Sequence, residues 1–240
     1  MTPTQVRPSI PPEERLIVAL DVPEVDDALA LVDRLGDAVC FYKLGLELAM
    51  SGRYFELADA LSARGKKVFA DLKFFDIPAT VAAAVRQLAK RSVEFATVHG
   101  NEAMIRAAVA EKGALKILAV TVLTSIDADD FRDLGIELEV EPLVLSRARR
   151  VVALGCDGVV ASGHEARALR DAVGEGFLIV SPGIRPLESA DDQKRVVTPR
   201  EAFLNGADYI VVGRPIRDAP DPRAAAASIQ ATIAEVVGSA

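Results

Sequence analysis

Eight short runs rich in β-branched and other apolar residues recur along these 240 residues. Each is followed by a longer Ala/Leu-rich stretch with apolar residues at three- and four-residue spacing. That alternation leaves few folds open. The runs predict strands over Leu16–Asp21, Val39–Lys43, Lys67–Asp71, Glu94–Val98, Leu115–Val122, Asp157–Ala161, Phe177–Ser181 and Tyr209–Val212. The stretches between predict helices over Val25–Leu35, Leu48–Ala63, Pro78–Lys90, Glu102–Lys112, Pro142–Leu154, Glu165–Ala172, Pro199–Asn205 and Pro222–Val237. Near-continuous apolar strands need cover on both faces, as in a parallel sheet. Eight such units without a linker-like break fit a single α/β domain, a (β/α)8 TIM barrel over residues 15–240. A doubly wound open sheet is the alternative, and the strand count separates them.

Half of the residues are hydrophobic, enough for a large core. The net charge of −7 argues against nucleic-acid or membrane-surface binding, though a local basic cluster could still hold a small anion. Cys40 and Cys156 form no CxxC pair and suggest no disulfide framework. With only His99 and His164, a His-rich metal site is not expected. Residues 1–14 are rich in proline and polar side chains, lack the apolar core of a signal peptide and read as a flexible tail. No apolar run reaches the roughly 18–20 residues of a membrane span. A reducing cytoplasm is the expected setting.

In a barrel the strand C-termini converge on one face, where active sites gather. Asp21, Lys43, Asp71 and Lys73 end three neighbouring strands there, and His99 ends the fourth. Thr124 and Ser125 follow the fifth. The densest cluster is Val68-Phe69-Ala70-Asp71-Leu72-Lys73-Phe74-Phe75-Asp76-Ile77-Pro78. Side chains alternate along a strand, so Phe69, Asp71 and Lys73 share a face. A buried carboxylate and ammonium are costly unless paired, and such groups often serve chemistry. The plainer reading is a structural ion network closing the barrel mouth. Asp76, two residues before Pro78, also reads as a helix-start residue.

Strands 7 and 8 lead into Pro182-Gly183-Ile184-Arg185 and Gly213-Arg214-Pro215. Glycines let backbone N–H groups approach an anion, and a guanidinium beside them suits a phosphate. The loops after these strands are the usual phosphate site of the fold. Two connections exceed a simple crossover. Thr124–Glu141 is acidic with a short helix expected inside it. Ile184–Thr198 carries Arg185 and Gln193 and has the length of a lid, or of a surface insertion.

These pieces, in this order, resemble the orotidine 5′-phosphate decarboxylase family, and its bacterial form more than the longer bifunctional eukaryotic one. The matching segments are Ala19-Leu20-Asp21, Lys43-Leu44-Gly45, Asp71 to Pro78 with Thr80, Leu123-Thr124-Ser125, Pro182 to Pro186 with Asp192-Gln193, and Val212 to Ile216. One segment departs from the family. His99-Gly100-Asn101-Glu102-Ala103 stands where many members have His-Ala followed by a Gly pair.

The resemblance implies decarboxylation of orotidine 5′-phosphate to UMP and CO2, the last step of UMP synthesis, without metal or organic cofactor. It implies that Lys73 protonates C6 of the pyrimidine and that Asp71 lies against the substrate carboxylate. Lys43, Asp71, Lys73 and Asp76 would form the charged network. Asp76 and Thr80 would come from the other subunit of a homodimer. Asp21 and Lys43 would contact the ribose, Thr124 the pyrimidine edge, and Gln193, Gly213 and Arg214 the phosphate, with Arg185 in the closing loop. Rival readings are a Mg2+-dependent sugar-phosphate decarboxylase or aldolase of the same superfamily, a Schiff-base aldolase using Lys73, and a non-catalytic phosphate-binding barrel. The first expects a Glu near the end of strand 2, where Lys43 would repel a cation.

Overall fold

The eight strands close on themselves. The structure, a computed structural model, describes residues 7, 9–133, 135–185 and 196–238. β1 (Leu16–Ala19), β2 (Phe41–Leu44), β3 (Lys67–Phe74), β4 (Phe95–Val98), β5 (Lys116–Val120), β6 (Gly158–Val160), β7 (Leu178–Ser181) and β8 (Tyr209–Val212) pair in parallel in chain order. β8 returns to β1, with Ile17 opposite both Phe41 and Val211. The chain is therefore the expected (β/α)8 barrel rather than an open sheet.

The strands are apolar throughout because each faces two cores. One set of side chains points outward to the helices, among them Val18, Tyr42, Val68, Ala96 and Ile179. The alternate set fills the barrel, including Ile17, Phe41, Phe69, Phe95, Leu118, Leu178, Val180 and Tyr209. Phe41, Phe95 and Tyr209 meet with ring centroids 5.1–5.9 Å apart, and Phe69 lies edge-on over Phe95 at 5.9 Å. This aromatic plug is the period-two alternation of a parallel strand carried into the barrel interior.

The surrounding helices are α1 (Val25–Leu35), α2 (Leu46–Met50), α3 (Tyr54–Ala63), α4 (Pro78–Leu88), α5 (Glu102–Glu111), α6 (Ala128–Asp133), α7 (Val140–Ala153), α8 (Ala166–Val173), α9 (Pro199–Leu204), α10 (Arg214–Arg217) and α11 (Pro222–Gly238). The helix expected over Leu48–Ala63 is broken into α2 and α3. Gly52 adopts φ 84°, a left-handed turn that an α-helix does not carry through. The helix expected inside the acidic connection is α6. α9 starts with a complete capping box, Thr198 and Glu201 each accepting from the other's backbone N–H, with Pro199 in the first turn.

Strand ends differ from expectation where they matter most. β1 stops at Ala19, so Asp21 stands beyond the ladder, and β3 runs on to Phe74. Beneath the barrel, Asp208 is fully buried. It accepts from Arg170 Nη2 at 2.6 Å, Arg7 Nε at 2.7 Å and Ile179 N at 2.8 Å. Within the N-terminal stretch, Arg7 is thus docked, Ile10 is buried in the barrel core and Pro12–Glu14 form a 3-10 turn. No helix among the described residues is long and apolar enough to cross a membrane.

Candidate active site

A cavity of about 480 Å3 opens at the C-terminal ends of the strands, within the range of small-molecule sites. Asp21, Lys43, Asp71, Lys73, Thr124, Arg185, Gly213 and Arg214 all line it. Val120, Val122, Val160 and Pro182 supply apolar wall, and Phe69 from the plug lies beneath. Residues spread over nearly two hundred positions meet because each lies at or just past a strand end.

One wall is an alternating chain of charges. Lys43 Nζ lies 3.0 Å from Asp21 Oδ1 and 3.5 Å from Asp71 Oδ2. Lys73 Nζ donates to the same Asp71 Oδ2 at 2.9 Å. Burial alone would push the Asp71 carboxyl up. The Lys43 and Lys73 charges, with hydrogen bonds from Lys73 and Thr97, outweigh burial and hold it below its ordinary value. Asp71 is thus an ionised, nearly enclosed carboxylate between two ammonium groups. Removing Lys73 would leave Asp71 with Lys43 alone, a loss smaller than the roughly 3–5 kcal/mol of breaking a fully buried pair, since Lys43 remains and Lys73 is one-third exposed.

The backbone explains how Lys73 reaches this position. Ala70 pairs with Ala96 and Phe74 with Val98, so three residues of β3 stand opposite the single residue Thr97 of β4. The ladder is interrupted there, and Lys73 takes φ 48°, the one positive φ of a non-glycine among the described residues. Such a conformation costs on the order of 1–2 kcal/mol and persists only when its surroundings impose it. Bulges of this kind re-aim side chains at sites. Thr97, wholly buried, supplies the missing contacts: its Oγ1 accepts from Lys73 N at 2.9 Å and donates to Asp71 Oδ1 at 2.9 Å.

The ends of β7 and β8 bring arginines to the same cavity. Gly183 has φ 75°, a turn that frees Arg185 from the strand direction. Ile184 then bridges Val197, and Arg185 N donates to Val197 O at 3.0 Å, clasping the base of the 184–198 connection. The buried Arg185 guanidinium also donates to Ile184 O at 3.0 Å. Arg214 and Arg217 stand three apart at the ends of the one-turn α10. Arg217 grips Asp218 through Nε and Nη2 and donates from Nη1 to the Asp21 carbonyl, tying α10 to the end of β1. Gln193 lies outside the described residues.

Not every expected residue joins the cavity. Asp76 and Thr80 are exposed and stand outside its lining. Asp76 does not cap α4, whose N-cap is Ile77. Its Oδ1 accepts from Ile77 N at 2.6 Å, because the Ile77-Pro78 step already sets the helix start. His99 packs edge-on to Phe75 at 5.4 Å. Burial, then the charges of Arg147 and Lys73, hold its imidazole below the ordinary value.

Two contributors went unread in the sequence. Thr97 shares the strand parity of Phe95 and so faces inward, a signal available once Phe95 is known to point into the barrel. Arg217 sits at the i+3 position from Arg214, the spacing that puts two side chains on one helix face.

Comparison with known proteins shows the family. Residues 14–229 match the model of the orotidine 5′-phosphate decarboxylase / HUMPS family. A protein of Methylococcus capsulatus named orotidine 5′-phosphate decarboxylase is 62% identical over 229 residues, covering 95% of each chain. One of the same name from Xanthomonas oryzae pv. oryzae is 58% identical over 228 residues, covering 94% of each. The crystal structure of orotidine 5′-phosphate decarboxylase from Lactobacillus acidophilus superposes with a TM-score of 0.82 at 37% identity, covering 92% of this chain and 99% of that one. With a family match over almost its whole length and relatives this similar, the chain belongs to the orotidine 5′-phosphate decarboxylase / HUMPS family.

Proposed function

We propose that this protein decarboxylates orotidine 5′-phosphate to UMP and CO2 without a cofactor, in the last step of UMP synthesis. The observation that carries the reading is the Asp21–Lys43–Asp71–Lys73 chain of charges, which lines one nucleotide-sized cavity together with Gly213, Arg214 and Arg185.

In this reading the phosphate lies against Gly213 and Arg214, with Gln193 and Arg185 completing its contacts. A guanidinium beside backbone N–H groups suits it. Asp21 and Lys43 hold the ribose, and Thr124 reads the pyrimidine edge. The substrate carboxylate is set against Asp71. The C6–carboxyl bond breaks, its electron pair stays on C6, and CO2 leaves. Lys73 Nζ delivers a proton to C6 and regains one from solvent. A carbanion with little resonance help gains more from a fixed ammonium in the transition state than the bound substrate does. Phosphate contacts remote from C6 supply binding energy that can be spent on positioning. Both acidic groups of the array already hold Lys43, which favours the cofactor-free reaction over a cation-dependent one.

The active unit in this proposal is a homodimer. Asp76 and Thr80, outside their own cavity, reach the partner's, and the exposed apolar side chains around them support this. Phe75 and Ile77, on either side of Asp76, are each 65% exposed. Such a cluster on a monomer is a surface to be covered.

Mixing EDTA-treated protein with orotidine 5′-phosphate and following its ultraviolet absorbance tests the reaction. Metal-free conversion to UMP is expected. A folded protein that leaves the substrate intact, yet turns over a sugar phosphate once Mg2+ is restored, overturns the reading.

A further inference from the structure

Thr97 occupies a position that neither wall of the cavity explains. It does not line the cavity and has no access to solvent. A buried hydroxyl in a strand that is otherwise apolar must find partners. It finds two, and both belong to the charged array. Its oxygen accepts from Lys73 N at 2.9 Å, and its proton goes to Asp71 Oδ1 at 2.9 Å.

We infer that Thr97 is a positioning residue, whose single hydroxyl sets the aim of both Lys73 and Asp71. Three observations converge on this. First, the ladder gap puts Asp71, Leu72 and Lys73 opposite Thr97 alone, so no neighbouring backbone of β4 remains to pair with them. Second, Lys73 is held at φ 48°, and the N–H of that strained residue is the one Thr97 receives. Third, the two oxygens of Asp71 are divided: Oδ2 faces Lys73 Nζ and Lys43 Nζ, and Oδ1 faces Thr97. Fixing Oδ1 fixes the carboxylate plane, and with it the direction in which Oδ2 draws the Lys73 ammonium. The hydroxyl therefore acts at both ends of the lysine, on its backbone and through Asp71 on its Nζ. Small errors in the placement of a reacting group are expensive in rate.

The assay depends on the decarboxylase reading above; the geometric claim does not. The test compares Thr97→Val, which keeps the shape and loses the hydroxyl, with Thr97→Ser, which keeps the hydroxyl. For each, kcat and KM with orotidine 5′-phosphate, UMP affinity by calorimetry and a crystal structure would be obtained. Thr97→Val is expected to lower kcat by roughly 10- to 100-fold with UMP affinity within about threefold of wild type, and to release Lys73 from the left-handed region. Thr97→Ser should restore kcat to within about threefold of wild type. Wild-type kcat in Thr97→Val, or Lys73 still at its present φ with the Asp71 carboxylate unmoved, overturns the inference. So does an equal loss of kcat and UMP affinity in both variants, the mark of a general packing role. If the wild-type protein itself fails to turn over the substrate, the functional reading falls, and the Lys73 backbone in Thr97→Val still decides the positioning claim.

Discussion

Lys73 Nζ and Asp71 Oδ2 lie 2.9 Å apart, two residues from each other on one strand, across a backbone that has turned left-handed between them and the helix beyond. A regular strand would project both side chains in parallel. The irregular one brings the ammonium within hydrogen-bond reach of the carboxylate, in the charged wall of the cavity. Replacing the lysine tests what that arrangement is for. Lys73→Ala is expected to lower kcat by roughly a thousandfold or more, since it removes both the proton donor and the fixed charge. UMP should still bind, as the phosphate contacts proposed for Gly213 and Arg214 do not involve Lys73. Wild-type-like turnover in this variant would sink the assignment.

Arg214 should contribute through the phosphate and not through the pyrimidine. Arg214→Ala is expected to cost about 3 kcal/mol in kcat/KM, roughly a hundredfold, the worth of charge-assisted hydrogen bonds. The phosphate-free nucleoside should be a poor substrate for wild type and no poorer for the variant. Equal activity of wild type on nucleoside and nucleotide would contradict the site.

The exposed Asp76 makes a prediction that single-subunit sites do not. Lys73→Ala and Asp76→Ala should each be nearly inactive. Unfolded together and refolded as mixed dimers, they should recover about one quarter of wild-type activity, because half of the dimers carry one intact site in two. Sedimentation would confirm the dimer. Mixed dimers without activity would place Asp76 within its own subunit's chemistry.

His99 gives a pH signature. Its imidazole is held below the ordinary value of 6.5 by burial and then by Arg147 and Lys73. The unfolded chain therefore takes up the proton first. Stability linked to the neutral ring is complete above the ordinary value, and it is lost as the pH falls below that value toward the folded one. NMR titration should show a midpoint below 6.5. His99→Gln identifies the resonance, as the chain has only one other histidine. A midpoint at or above 6.5 contradicts the burial argument.

Asp208 should matter for stability and not for chemistry. Asp208→Ala strips a wholly buried carboxylate from Arg170 and Arg7, and is expected to cost about 3–5 kcal/mol. That corresponds to a fall in melting temperature on the order of 10 °C for a chain of this size. Thermal unfolding measures it, and kcat at 25 °C should be unchanged.

Most of the fold was legible because parallel strands buried on both faces leave an unmistakable trace. The runs around Ile17, Phe41 and Ile179 have no polar alternation, and the helices between them do. The strand-end rule then placed Asp21, Lys43, Asp71, Lys73 and Arg214 on one face. What escaped was set across strands and not along them. The β3 irregularity is a mismatch between Ala70–Phe74 and Ala96–Val98, and no single segment encodes it. Thr97 reads as an ordinary strand threonine until its neighbour's ladder is known to be broken. The break between α2 and α3 was signalled by Gly52, but the apolar spacing on both sides of it carried the longer reading. Gln193 lies outside the described residues, and its proposed role at the phosphate comes from the resemblance.

The aromatic plug has a consequence for traffic. Phe69 rests on Phe95, and Phe41 and Tyr209 fill the space below, so the well is sealed at its base. In the proposed reaction, CO2 freed beside Asp71 would start at the closed end of the cavity. On that reading it would have to slip past the bound nucleotide or wait for it to go, with Lys73 beside the passage. Escape and recapture thus compete in a dead end, and widening the base would open a second route for CO2 with the charged wall left in place.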